Sequence, residues 1–240
     1  IMTNINKYFI ANLKMYGNKK YVKSIKKVID FKKKKKFLKA KLIYCPPYTL
    51  LDDFIKFTKK STIDIGAQNC HQNEFSGSNT GSISPNMIKS LGAKYVIIGH
   101  SENRSSGDNN SLINKKIISC LNQKLNVIFC IGETIKDKRK KKTKLILKKQ
   151  IKEDLKKITK INKIIFAYEP VWSIGTGIIP KNQELIKNIN NIINILNKLK
   201  KSKKPRILYG GSVNPKNVKE LAEINQINGF LVGGASLSAK

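Results

Sequence analysis

The stretch Ile164-Ile165-Phe166-Ala167-Tyr168-Glu169-Pro170-Val171-Trp172-Ser173-Ile174-Gly175-Thr176-Gly177 decides the reading of this chain. Its first five residues are continuously apolar, the pattern of a strand buried on both faces of a parallel sheet rather than one facing water. A carboxylate follows at once, and a carboxylate at the end of an apolar strand is costly without a task or a partner. Then come a rigid Pro and a tip with two glycines, a composition that suits a loop closing over a ligand and excluding water. Outward from this segment the pattern repeats. Apolar, β-branched runs at 8–11, 42–45, 63–67, 95–99, 127–131, 207–209 and 230–232 bring the count to eight.

Helical spacing fills the intervals. Tyr21, Val22, Ile25, Val28 and Ile29 fall on one face, as do Leu145, Leu147, Ile151, Leu155 and Ile158, and Leu185, Ile189, Ile192, Ile193, Leu196 and Leu199. Asp108 or Asn109 caps a helix running through Leu121, and Asn214-Pro215 places Pro just inside the next. Short helices follow Pro47 and Pro85. Eight strands alternating with helices in 240 residues predict an α/β fold, a (β/α)8 barrel, as a single domain over 1–240. Nine of the 15 glycines (66, 99, 132, 175, 177, 210, 211, 233 and 234) sit at or just beyond strand ends, where such a barrel builds its active site.

Composition narrows the classes. The chain is 40% hydrophobic, and no apolar run approaches a membrane span. The first 14 residues lack an apolar stretch of signal-peptide length, so secretion is not expected. The net charge is +33, from 45 lysines and three arginines against 15 acids. With 36 Ile and 25 Asn as well, the bias matches A- and T-rich codons, and lysine has filled exposed positions wherever it is tolerated. Specific nucleic-acid readers use arginine forks and stacked aromatics, both scarce here. The lysine runs at 32–36 and 138–142 read as solvated turns and helix faces. Cys45, Cys70, Cys120 and Cys130 contain no C-x-x-C pair, and only His71 and His100 are histidine, so no metal site is expected. The thiols read as reduced, which places the chain in the cytoplasm.

At the strand ends, Asn12-Leu13-Lys14 offers a fixed ammonium for an anion. Gly99-His100-Ser101-Glu102 puts a histidine at the rim, whereas His71 reads as a packed or surface residue. Glu169 reads as a general base. Tyr209-Gly210-Gly211-Ser212 and Val232-Gly233-Gly234-Ala235-Ser236 let backbone N–H groups approach a phosphate after strands seven and eight.

At these residues the chain resembles the triosephosphate isomerase family. The matching segments are Asn12-Leu13-Lys14-Met15, Gly66-Ala67-Gln68-Asn69, Gly99-His100-Ser101-Glu102, Cys130-Ile131-Gly132-Glu133, 168–177, 209–213 and 232–237. The resemblance implies a TIM barrel that interconverts dihydroxyacetone phosphate and D-glyceraldehyde 3-phosphate in glycolysis and gluconeogenesis, without cofactor or metal. It implies Glu169 as base, His100 as neutral electrophile, and Lys14 with Asn12 stabilising the enediolate. Ser101 would hold Glu169 in an open state, with Glu102 supporting the site. Gly175, Ser212, Gly233 and Gly234 would bind the phosphate through backbone N–H groups. It also implies a homodimer with a small phosphorylated triose as substrate, no membrane partner and no specific nucleic acid. The alternative is a catalytically weakened barrel retained as a basic binding protein; a different phosphosugar isomerase on the same fold is a third reading.

Departures from the family pattern are Leu13 for Trp, Tyr16 for Asn, Ser82 for the Glu of Thr-Gly-Glu, and Asn103 for the first of two arginines. Between Gly177 and Pro180 the family has about two more residues. The sequence runs to Lys240, soon after Ala235-Ser236-Leu237, so the expected barrel lacks the usual last helix.

Overall fold

The computed structural model describes residues 7–34, 39–159, 161–199, 201–202 and 204–238. Eight strands appear in it: β1 Lys7–Asn12, β2 Ala40–Cys45, β3 Asp64–Ala67, β4 Tyr95–Ile98, β5 Asn126–Ile131, β6 Ile164–Tyr168, β7 Arg206–Tyr209 and β8 Gly229–Val232. All pair in parallel with their sequence neighbours, and β1 pairs with β8 (Phe9 opposite Phe230), so the sheet closes on itself. Every expected strand is present; β6 matches its expected bounds and the others differ by one or two residues at one or both ends.

The helices are α1 Lys19–Val22, α2 Ile25–Lys32, α3 Tyr48–Thr58, α4 Pro85–Leu91, α5 Ser101–Ser105, α6 Asn110–Asn122, α7 Ile135–Arg139, α8 Thr143–Asp154, α9 Asn182–Lys198 and α10 Val218–Ala222. A side-chain cap opens five of these ten helices. Asn109 accepts the Leu112 N–H at the head of α6, and Ser84 accepts the Met87 N–H of α4 with Pro85 in its first turn. Thr134 and Asp137 cap α7 reciprocally.

Three expected boundaries are corrected. The helical face over 21–29 is shared by α1 and α2, which part at Lys23 and Ser24 although both residues stay right-handed helical; the Ser24 hydroxyl donates to the Tyr21 carbonyl at 2.7 Å. The helical face reaching Ile158 ends with α8 at Asp154; Lys157 lies at φ 60, a left-handed conformation that a helix does not continue through. Asn214-Pro215 opens a turn rather than a helix. The Asn214 side chain accepts from the Lys216 and Asn217 N–H groups, and α10 starts only at Val218. The helix after Pro47 is also longer than expected, 11 residues. Lys35 and Lys36 of the first lysine run lie outside the described residues. After β8 comes a 3₁₀ turn, Gly234–Leu237.

Two apolar layers hold the barrel. Tyr8, Ile10, Ile43, Cys45, Ile97, Ile128, Cys130, Ile165, Ala167, Leu208 and Leu231 pack with one another inside it. Their strand neighbours of opposite parity, such as Ile98, Phe129, Phe166 and Tyr168, pack against the helices in a larger outer layer with Ile113, Leu147, Ile189 and Leu196. Both layers are dense, as the near-continuous apolar runs require. The four cysteines are free and buried, with Cys70 and Cys120 meeting Sγ to Sγ at 3.4 Å. No helix among the described residues is long and apolar enough to cross a membrane.

Candidate active site

The pleat places the site. Successive strand residues alternate in facing, so the inward parity of Ile165 and Ala167 continues to Glu169. That of Ile10 continues to Asn12, that of Leu208 to Gly210, and that of Leu231 to Gly233. These positions converge at the C-terminal mouth on a cavity of about 230 Å³. Asn12, Lys14, His100, Glu169, Gly175, Ser212, Gly233 and Gly234, all expected from sequence, line it together with Ile174 of the loop and Val213 and Asn214 after β7. Ser101 and Glu102 stand behind this lining.

Lys14 sits at φ 51, a strained conformation for a residue with a side chain. Three bonds hold it there. Its N–H donates to Asn12 Oδ1 at 3.0 Å, and Gln68 Nε2 donates to the carbonyls of Lys14 and Cys45 at 2.8 Å each. The ammonium pairs with Glu102 Oε1 at 2.6 Å. Gln68 has no role readable from spacing; only its place in a matching segment marked it.

His100 is 4% exposed and caps α5. Its Nδ1 accepts the Glu102 N–H at 3.2 Å. A neutral imidazole that accepts at Nδ1 carries its proton on Nε2. Nε2 lies 3.4 Å from Glu169 Oε1. The donor nitrogen and the carboxylate therefore stand side by side in the cavity.

Glu169 is 2% exposed, and neither carboxylate oxygen has a hydrogen-bond partner. Burial pushes its carboxyl above the usual carboxylate range, against the opposing influence of the His100 ring, the Cys130 thiol, the Ser101 backbone N–H and Lys14. Ser101 thus meets Glu169 through its main chain. A side chain at 210 would run into the base: a Cβ there would lie 2.8 Å from Glu169 Cγ, which is why only glycine fits. Among the described residues no three acidic, imidazole or thiol side chains are grouped to hold a metal ion.

The loop after Glu169 begins with a 3₁₀ turn, Val171–Ser173. Glu133, fully buried after β5, anchors it. Its carbonyl accepts the Val171 N–H at 3.0 Å, and its carboxylate accepts Trp172 Nε1 at 2.9 Å and the Tyr168 hydroxyl at 3.1 Å. Burial raises the Glu133 carboxyl, with Trp172 the largest opposing influence. Lys138 is corrected here: far from a solvated charge, its ammonium lies 3.5 Å from the centre of the Trp172 ring and pairs with Glu184 at 2.8 Å. The lysine run hid it. His71 accepts the Asn73 N–H and lies away from the cavity.

The family model described as triosephosphate isomerase matches residues 7–240. The chain belongs to the triosephosphate isomerase family. A triosephosphate isomerase of Dictyoglomus thermophilum is 44% identical over 238 residues, 96% of this chain and 94% of that protein. One of Thermodesulfovibrio yellowstonii is 40% identical over 240 residues, again 96% and 94%. The crystal structure of triosephosphate isomerase from Bartonella henselae superposes with a TM-score of 0.88 at 31% identity, covering 98% of this chain and 95% of that one. With the closed eight-stranded barrel, these likenesses extend over nearly the whole chain.

Proposed function

We propose that this chain is a triosephosphate isomerase, working as one domain, that interconverts dihydroxyacetone phosphate and D-glyceraldehyde 3-phosphate in glycolysis and gluconeogenesis. Glu169 takes a proton from the carbon beside the carbonyl and returns it to the neighbouring carbon. His100 Nε2–H donates to the oxygen on which negative charge develops, and Lys14 and Asn12 stabilise that charge. Gly175, Ser212, Gly233 and Gly234 hold the phosphate by backbone N–H groups, and the loop bearing Ile174 excludes water. The observation that carries this reading is the approach of His100 Nε2 to a buried, unpartnered Glu169 carboxylate in a cavity that also holds Lys14. That convergence of acid, base and cation counts against a barrel kept only for binding. A coupled assay on purified protein tests it: turnover in the wild type and its near-total loss in Glu169→Gln are expected, and equal activity in the two would overturn the assignment.

The enzyme acts as a homodimer in the cytoplasm. Four unpaired, buried thiols support a reducing compartment. Met15, Tyr16, Phe75 and Met87 are exposed apolar side chains on the loops and helix at the mouth's flank, and a second copy of the chain would cover them. Ser82 and Asn103 leave that contact without the charge pair of the family pattern, which loosens its register. Specific activity is expected to fall with the dimer fraction as the protein is diluted. Sedimentation and assay across one dilution series check this, and a fully active monomer would contradict it.

A further inference from the structure

We propose that Ser173 is a positioning residue whose hydroxyl keeps the Ser212 amide occupied until a phosphate takes that amide over. The proposal deepens the phosphate reading of the cavity and rests on it. Ser173 is fully buried at the front end of the loop. A serine hydroxyl has one proton to give and two lone pairs to accept with. Here all three are used. Ser173 Oγ donates to the Ile178 carbonyl at 2.5 Å, accepts the Ser212 N–H at 3.3 Å, and lies 2.9 Å from the Tyr209 hydroxyl, which then donates to it. One atom thus ties the front of the loop to its back and both to the rim after β7. Gly211 makes the knot possible, since a Cβ there would lie 2.2 Å from the Tyr209 hydroxyl oxygen and 2.7 Å from Ser173 Oγ.

The bond from Ser212 is the long one of the three, at the weak end of N–H···O geometry. A phosphate oxygen is a charged and stronger acceptor. An arriving phosphate therefore wins the amide, and a hydroxyl that no longer accepts the Ser212 N–H is less polarised, so its donation to the Ile178 carbonyl weakens. Anion binding and release of the loop are coupled through a single exchange. The short 178–179 stretch before Pro180 sharpens the coupling, because it leaves few other dihedrals to absorb the motion.

Trp172, the only tryptophan of the chain, adjoins Ser173 and reports the loop by fluorescence. Inorganic phosphate is titrated into wild type, Ser173→Ala and Tyr209→Phe, with fluorescence and calorimetry as readouts and circular dichroism as the folding control. Removing the competing hydroxyl is expected to lower the phosphate Kd about three- to tenfold, the worth of roughly one hydrogen bond. KM should fall in parallel with no gain in kcat, the mark of uniformly stronger binding. Tyr209→Phe keeps the Ser173 hydroxyl and removes only the Tyr209 hydroxyl that the Ser212 amide also approaches, so its Kd should tighten by no more than about twofold, less than in Ser173→Ala. In the wild type, whatever the variants do, the Ser212 amide resonance should move on phosphate addition. An unchanged or weaker Kd in a folded Ser173→Ala, equal tightening in Tyr209→Phe, or a Ser212 resonance that stays put while phosphate binds would each overturn the latch alone. A wild type that binds no phosphate would overturn the phosphate reading itself, and the latch with it.

Discussion

Glu169→Asp is expected to lower kcat by about a hundredfold, the cost of misplacing a reacting group by about 1 Å, while KM changes little. The loss is positional. Glu169 extends from the end of β6 beneath the loop, and its Oε1 reaches 3.4 Å from His100 Nε2. Neither oxygen is fixed by a well-formed hydrogen bond, and the Cys130 thiol and Ser101 N–H that favour the carboxylate act at the reach of glutamate, not at that of a shorter side chain. Glu169 Cγ packs closely against Gly210, and Asp, one methylene shorter, loses that contact as well. Of the proposed phosphate donors, Ser212, Gly233 and Gly234 lie on other strand ends and Gly175 lies six residues further along the loop; none is altered, so KM is spared. Burial, the first cause of the raised Glu169 carboxyl, persists in the variant. The acid limb of the pH profile should therefore remain in both proteins: activity falls as pH drops through a pKa above the ordinary carboxylate range, because a protonated carboxyl is no base. Steady-state kinetics across pH check this, and unchanged turnover would remove Glu169 from the base role.

Much of this site was legible because the strands read as continuous apolar runs and a parallel barrel builds its site after their C-terminal ends. Once an apolar run is taken as a strand of a closed barrel, whatever follows it sits at the mouth, and Asn12, His100, Glu169 and the glycine pairs all follow such runs. What was not legible depends on contacts between distant segments. Glu133 gains its role from Trp172, 39 residues on, and nothing near Gly132 announces that. Lys138 looks like any of its lysine neighbours until the Trp172 ring lies beside it. Ser173 carries no signal in the sequence, because its partners Ile178, Tyr209 and Ser212 meet it only in the folded chain. Helix boundaries failed for a related reason. Asn214 has the right chemistry for a cap but spends it on a turn, and the sequence pattern does not say which backbone N–H groups lie within its reach.

Arg104→Ala is expected to cost about 3–5 kcal/mol of stability above pH 7, the range for breaking a buried ion pair, and distinctly less near pH 5. Arg104 clamps the wall behind the site. Its Nε donates to the Gly99 carbonyl at 2.8 Å, one residue before His100. Its other nitrogens reach Asn110 Oδ1 at 3.0 Å, the Cys130 carbonyl at 3.1 Å and Asp154 Oδ2 at 2.8 Å. Asp154 is fully buried, and its second oxygen has no partner. Burial pushes its carboxyl from 3.8 to about 7, with Arg104 the main opposing influence. A raised pKa in the folded state means that the fold keeps a proton the unfolded chain has released. The contribution of Asp154 to stability is thus complete below about pH 4 and is lost as pH rises to 7, by roughly 4 kcal/mol at about 1.4 kcal/mol per unit. Without Arg104 the folded pKa climbs further, so the loss continues above pH 7 where the wild type has levelled off. Below pH 6 Asp154 is largely protonated in both proteins, and removing Arg104 there does not add the penalty of leaving a buried carboxylate charge unpaired, which is the part of the cost that grows above pH 7. Asp154→Asn, which cannot ionise, should gain on the wild type by a margin that grows from pH 4 to 7. Urea unfolding of the three proteins between pH 4.5 and 8.5 decides the matter: a difference between Arg104→Ala and wild type that does not vary with pH would show that Arg104 acts through packing and not through the charge it holds against Asp154.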